Sequence, residues 1–263
     1  MRRIPSLAAC LAGLALAGCF AIGNSGVPID TLSVAAPRPP AERTLVIVLP
    51  GIGSDAREMK DRGIADAIHA SWPEADILLT SATLAYYRDG KLVPRLHREI
   101  VEPARKSGYA RVWLAGASLG GMGALVYERE HPGEVTGIAL FAPFLGNADL
   151  LEEIRSAGGP GNWEPVPLPA GMNGDHYQRQ VWRMVKSWAD RPRLARCIWL
   201  AVGTRDRFAE GARLIEPVLP GTHYLELPGG HTWNCGAARQ EKSFRASAAS
   251  PLKGDPRQRP CNR

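Results

Sequence analysis

From residue 44 onward, short unbroken runs of Val, Ile and Leu alternate with stretches of helical periodicity, and this rhythm restricts the fold more than any other feature. The strand candidates are residues 45–49, 77–80, 112–115, 137–141, 198–202 and 224–227. Most are apolar without an in–out alternation, which is how a strand reads when both faces are covered. Helical patterns fall between them. Residues 55–70 carry Met59, Ile64 and Ile68 near helical spacing, and residues 94–106 open with Pro94 in the first turn, where its missing N–H costs nothing. Residues 119–129 and 208–218 follow the same logic. Alternating strands and helices predict a mainly parallel, doubly wound α/β sheet. No internal repeat competes with that reading. With 45% hydrophobic and 22% charged residues, the chain is globular rather than disordered.

One stretch breaks the rhythm. Residues 146–172 contain Gly158-Gly159-Pro160-Gly161 and the prolines Pro165, Pro167 and Pro169, and residues 178–189 then put Val181, Met184, Val185 and Trp188 on one helical side. An insertion over about 146–190 is expected to form a lid or cap. Its Trp163, Tyr177 and Trp182 either line an apolar pocket or make the insertion's own small core.

The N-terminus reads as a targeting segment. Met1-Arg2-Arg3 is basic, residues 7–17 are almost wholly Leu, Ala and Gly, and small residues follow, so residues 1–18 fit a signal peptide. The apolar run is short of the roughly 20 residues a membrane span needs. Leu16-Ala17-Gly18-Cys19 resembles the lipobox of bacterial lipoproteins. That resemblance implies cleavage before Cys19 and a diacylglycerol on its sulfur, and two or more acyl chains hold a protein stably on a membrane. Phe20, in place of the Asp that retains such proteins at the inner membrane, implies the outer membrane facing the periplasm. Residues 19–43, with Pro37, Pro39 and Pro40, read as a lipidated start and tether. The domain is then expected over 44–250 and a basic tail over 251–263.

The net charge of +6 is spread along the chain with no basic run and no nucleic-acid motif, so no nucleic-acid partner is expected. Of five cysteines, Cys10 leaves with the leader and Cys19 is taken by lipid. One pair among Cys197, Cys235 and Cys261 is expected to be bridged in an oxidising compartment, with the pairing left open. Cys and His spacings match no zinc pattern, and no metal or organic cofactor is expected.

Gly116-Ala117-Ser118-Leu119-Gly120 lies between the 112–115 strand and the 119–129 helix. A sharp strand-to-helix turn lifts a serine hydroxyl above the sheet edge and demands small neighbours, and the following helix start offers positive potential to a developing anion. Such a nucleophile needs a base and a carboxylate to orient it. His231 follows the last strand candidate, on the same edge as Ser118, and is the favoured base, with His176 in the insertion as runner-up. His223 precedes that strand, and His69, His97 and His131 sit in or beside helix patterns. Asp206, after the 198–202 strand, is the favoured acid and Asp149 the alternative. Arg205 and Arg207 would keep Asp206 ionised if they approach it, and an N-cap role before Phe208 is compatible.

The order Ser118, Asp206, His231, with each residue just past a strand, resembles the α/β-hydrolase fold family in its esterase and lipase region. The resemblance covers residues 44 to about 236. It implies an oxyanion hole made by the N–H of Leu119 and one from the loop Leu49-Pro50-Gly51-Ile52-Gly53-Ser54. Where family members often have His-Gly, this chain has Pro50-Gly51; alignment on the Gly assigns the second donor to Ile52, with Gly53 beside it. The implied activity is cleavage of small-molecule or lipid carboxylic esters through an acyl-enzyme, without a cofactor. Thioesters, lysophospholipids and peptides suit the same apparatus. A binding lipoprotein with a relic site is the reading from another class.

Overall fold

We describe the protein from a computed structural model, which covers residues 22–38, 40–167 and 174–231. The expected signal peptide, Cys19, Cys235, Cys261 and the basic tail lie outside the described residues.

A seven-stranded sheet forms the centre, in the order β1-β3-β2-β4-β5-β6-β7. Its strands are β1 Thr31–Val34, β2 Thr44–Leu49, β3 Ala75–Thr80, β4 Arg111–Ala117, β5 Gly137–Phe141, β6 Ile198–Gly203 and β7 Tyr224–Leu227. Every neighbouring pair is parallel except β1 with β3. The chain lays down β1 at one edge, crosses to β2, fills the gap between them with β3, then crosses to β4 on the far side of β2 and proceeds outward to β7, which is the doubly wound plan expected. Burial explains the unbroken apolar runs. Leu45, Ile47 and Leu49 face the larger of two cores, while Val46 and Val48 of the same strand face the smaller one behind the sheet. β4 divides the same way, with Val112 and Leu114 on one side and Trp113 and Ala115 on the other.

Residues 22–38 depart from the tether expected of them. Thr31 pairs with Thr80 and Val34 with Ile77, so β1 covers an edge of the sheet that would otherwise expose unpaired backbone groups. The stretch before it is also fastened down: Ile29 donates its N–H to Glu99 at 2.9 Å, and the Tyr86 hydroxyl reaches the carbonyls of Val27 and Pro28. Ser25 and Ile29 are buried.

The helices differ from expectation where glycine or proline intervenes. The 55–70 pattern is two helices, α1 Ala56–Asp61 and α2 Ile64–His69, parted by Gly63 at φ 72°. Only glycine adopts that conformation cheaply. Asp55 caps α1 by accepting the Glu58 N–H at 2.8 Å. A short helix, α3 Leu84–Arg88, precedes the 94–106 pattern. That pattern runs as α4 Leu92–Leu96, a π-helical turn His97–Val101 and α5 Glu102–Lys106. Pro103 has no N–H to give the Glu99 carbonyl, so the chain widens by one residue just ahead of it. After β4 comes α6 Leu119–Glu130, then α7 Ala148–Ser156, α8 Gly174–Asp190 and α9 Ala209–Ile215.

Within the 146–190 insertion, Trp163, Tyr177, Trp182, Val185 and Trp188 are buried in the larger core of the domain itself. The Trp182 indole donates to the Leu145 carbonyl, and Arg179 pairs with Glu153 at 2.7 Å across α8 and α7. The described insertion is thus a packed layer of the domain, where a lid or a separate small core was expected. The amphipathic pattern of residues 178–189 reflects packing on the main core. Among the described residues, no helix is long and apolar enough to cross a membrane.

Candidate active site

The parallel strands β4, β6 and β7 end on one edge of the sheet. Ser118 follows β4 immediately, Asp206 lies three residues past β6 and His231 four past β7. Parallel pairing therefore brings all three residues to the same edge.

Ser118 has φ 53° and ψ −116°, a conformation that costs a non-glycine residue of order 1–3 kcal/mol. Its surroundings enforce it. The Ser118 N–H donates to Phe141 at 3.0 Å, and the Ser118 carbonyl accepts from Gly121 at 3.1 Å and Phe144 at 2.9 Å. The glycines flanking the serine leave no alternative. A Cβ at Gly116 would sit 2.3 Å from the Gly120 carbonyl oxygen, and one at Gly120 would sit 2.3 Å from that of Leu49. At Gly121 it would meet Pro143 at 2.7 Å. The helix start thus lies tight against the ends of β2 and β5, and the first N–H groups of α6, including that of Leu119, have no partner within the helix.

The loop after β2 borders this turn. A Cβ at Gly51 would be 3.5 Å from that of Ser118. Ser54 donates back to Gly51 at 3.2 Å, with Gly53 at φ 77° in the third position of the turn, where glycine is required. Ile52, the second residue of that turn, is 57% exposed.

Asp206 and His231 meet directly, with Nδ1 of His231 2.9 Å from both carboxylate oxygens. The Asp206 side chain is only 2% exposed and also accepts the Phe208 N–H at 2.8 Å. A carboxylate at Nδ1 favours the Nδ1–H tautomer and leaves the Nε2 lone pair free to accept a proton. Phe208 packs edge-on against the imidazole at 4.7 Å, and Phe144 packs on Phe208 at 5.5 Å. Close packing of loops holds the pair: Arg205 donates its N–H to the Gly229 carbonyl at 2.8 Å, and Gly203 has no room for a side chain against Gly229. The expected help from the arginines does not materialise. Among the described residues no ion pair joins Asp206 to Arg205 or Arg207; Arg207 lies over the Phe208 ring instead. Nor does Asp206 cap the helix, since α9 begins at Ala209 with Phe208 at its N-cap.

The alternatives are placed elsewhere. Asp149 is exposed in the first turn of α7. Nδ1 of His176 is buried without a partner among the described residues, while the ring nitrogens of His69 and His223 lie against the Ala75 and Ile198 carbonyls. Burial pushes the His223 imidazole below its usual pKa. Two features of the site escaped sequence reasoning: the Phe208 and Phe144 packing, and Ala142 at φ 42°. The Ala142-Pro143 step directly after a strand was the available signal. Cys197, buried just before β6, is disulfide-bonded, as expected of one pair, and its partner lies outside the described residues.

This strand order, with a serine turn after β4 and an acid–histidine pair on the same edge, defines an α/β-hydrolase. Among solved structures the chain is similar to the monoacylglycerol lipase of Paleococcus ferrophilus, at 15% identity and a TM-score of 0.55 over 86% of this chain and 100% of that one. Est1E from Butyrivibrio proteoclasticus matches at 15% identity and 0.55 over 88% of this chain and 96% of its own. The fluorophosphonate-binding serine hydrolase F of Staphylococcus aureus matches at 12% identity and 0.51 over 86% and 99%. At these identities the likeness is one of fold. No curated protein matches the chain. The model of the Esterase family matches residues 83–234, more than half of the sequence and all of Ser118, Asp206 and His231. The chain belongs to that family, and it is a hydrolase of esters.

Proposed function

We propose that the protein is an exported, lipid-anchored carboxylesterase in which Ser118 is the nucleophile, His231 the base and Asp206 the orienting acid. The observation that carries this reading is the strained turn at Ser118 on the same sheet edge as a buried carboxylate bonded to His231 Nδ1. Strain of this kind persists where a site uses it, which argues against a relic.

Nε2 of His231 takes the Ser118 hydroxyl proton as Oγ attacks the ester carbonyl carbon. The negative charge that develops on the carbonyl oxygen is held by the N–H groups of Leu119 and Ile52, each such donor being worth about 3 kcal/mol in the transition state. The intermediate then collapses, and His231 gives its proton to the departing alkoxide. Water, losing a proton to Nε2, attacks the acyl-enzyme, and Ser118 leaves with that proton restored. Asp206 keeps Nδ1 protonated throughout. Phe144, Phe208 and the exposed Ile52 give the neighbourhood an apolar character that suits an acyl or aryl group. Cleavage before Cys19 and acylation of its sulfur anchor the enzyme to a membrane, and Phe20 in place of an Asp favours the outer membrane, facing the periplasm.

The test is fluorophosphonate labelling of the chain starting after Cys19, beside Ser118→Ala. Labelling and hydrolysis of p-nitrophenyl esters are expected in the parent and absent from the variant. Full hydrolytic activity in Ser118→Ala would sink the proposal. The anchor is tested separately by radiolabelled palmitate incorporation in the full chain, expected to vanish in Cys19→Ser.

A further inference from the structure

At the far end of α6 from Ser118, three side chains converge that ester cleavage does not use. His97 comes from the π turn, His131 is the residue that ends α6, and Glu134 follows in the loop toward β5. A rise of about 1.5 Å per residue over the helix puts them roughly 18 Å from the serine.

Their donor atoms face one another. Nδ1 of His97 is 3.0 Å from one Glu134 oxygen, and Nδ1 of His131 is 3.5 Å from the other. One ligand atom from each of the three residues lies within 4.8 Å of the other two. Four ligands at about 2.1 Å around zinc stand roughly 3.4 Å apart, so both histidine–glutamate spacings already suit a shared ion. Two imidazoles and one carboxylate are the donors that borderline divalent ions prefer over calcium or magnesium. The side chains are 30%, 25% and 28% exposed, which lets an ion enter and keep a water. Tyr127 donates its hydroxyl to Glu134 at 2.9 Å and lies 3.1 Å from Nδ1 of His97, so it steadies both groups from within the cluster and gives up the histidine contact when an ion binds. The surrounding field suits a cation. The carboxylates of Glu102, Glu128 and Glu130 act on this group and its neighbours, the C-terminal end of α6 adds negative potential, and Arg105 and Arg129 oppose them.

We propose that His97, His131 and Glu134 form a zinc-class binding site that staples the π turn to the end of α6. The two rings now stack at 4.1 Å with 10° between their planes, so their lone pairs lie in separate, nearly parallel planes. Binding turns one imidazole until both point at the ion. The site is structural: it lies too far from Ser118 to touch substrate, and its occupancy leaves ester cleavage unchanged.

The experiment is equilibrium dialysis of the disulfide-intact chain, starting after Cys19, against Zn²⁺. Metal content and melting temperature are read for the parent and for His97→Gln, His131→Gln and Glu134→Gln. The Ser118→Ala protein is dialysed in parallel, so the outcome does not depend on the hydrolase reading. One Zn²⁺ per chain, a higher melting temperature with zinc, and at least ten-fold weaker binding in each Gln variant are expected. Absence of stoichiometric zinc from the folded parent would overturn the proposal, leaving a hydrogen-bonded knot at the helix end. So would zinc retained at parental affinity by all three variants, which would move the ion elsewhere.

Discussion

Gly120→Ala probes the turn at Ser118 without touching a reacting group. The added Cβ would stand 2.3 Å from the Leu49 carbonyl oxygen and 2.7 Å from that of Pro50. Both are backbone atoms of the central strand β2 and its loop, so no side chain can swing away. Comfortable carbon contacts begin well beyond 3 Å, and the first turn of α6 must retreat by about 1 Å. That displacement carries the Leu119 N–H away from the proposed oxyanion position and tilts the Ser118 hydroxyl. A misplacement of about 1 Å lowers rate by roughly 100-fold, and the crowding costs about 1–3 kcal/mol of stability. The assay is kcat on a short p-nitrophenyl ester, normalised to sites titrated with a fluorophosphonate, with circular dichroism to confirm the fold. Gly221→Ala, at a position where an added Cβ meets nothing within 4 Å, is the control and keeps parental rates. Gly120→Ala with more than half the parental kcat per titrated site would refute the reasoning.

Three further outcomes are expected. Asp206→Asn keeps an acceptor for the Phe208 N–H but loses the charge at His231 Nδ1, so kcat falls by about 10⁴ with the fold intact; a loss under ten-fold would remove Asp206 from the role. Burial raises the Glu128 carboxyl to about 7, so the folded state holds this proton more tightly than the unfolded chain. The resulting stability is full below about pH 4.5 and is lost as pH rises through 7, by up to about 3 kcal/mol. Urea midpoints at pH 5 and 8 should show that drop in the parent and not in Glu128→Gln, and equal drops would count against it. Reduction of the Cys197 disulfide costs about 2–5 kcal/mol, read as a lower melting temperature with dithiothreitol that Cys197→Ser reproduces without it.

The sheet was legible in the sequence, and so was the sheet edge at which the candidate site residues gather, because both are local signals. A strand buried on two faces writes itself as an apolar run, and residues 45–49 and 137–141 correspond closely to β2 and β5. The glycine–serine motif names its own turn, and Asp206 and His231 could be picked by asking which residues follow strands. Edge strand β1 was missed because Thr31–Val34 is short and sits among prolines and small residues, so its weak alternation of Leu32 and Val34 with polar neighbours read as linker. The 55–70 and 94–106 patterns were continued across Gly63 and Pro103, where backbone chemistry overrides periodicity. The His97–His131–Glu134 cluster has no sequence spacing to betray it, since His97 comes from the π turn while His131 and Glu134 come from the end of α6 and the loop after it.

The strain at Ser118 is also not private to the serine. The described residues outside glycine with positive φ are Ser118 and Ala142, and both lie at the carboxyl edge of the sheet. Ala142 donates its N–H to Ala201 of β6 at 2.8 Å, and Phe144, two residues on, donates to the Ser118 carbonyl. The loop leaving β5 is thereby pinned at one end to the strand that leads toward Asp206 and at the other to the serine turn. Phe144 then packs on Phe208, which borders His231. Two strained residues, each unfavourable by about 1–3 kcal/mol, are held by one continuous set of strand-end hydrogen bonds and ring contacts. Their joint fixation sets Ser118 and His231 in one frame before any substrate arrives, and such preorganisation is what the proposed acyl transfer requires.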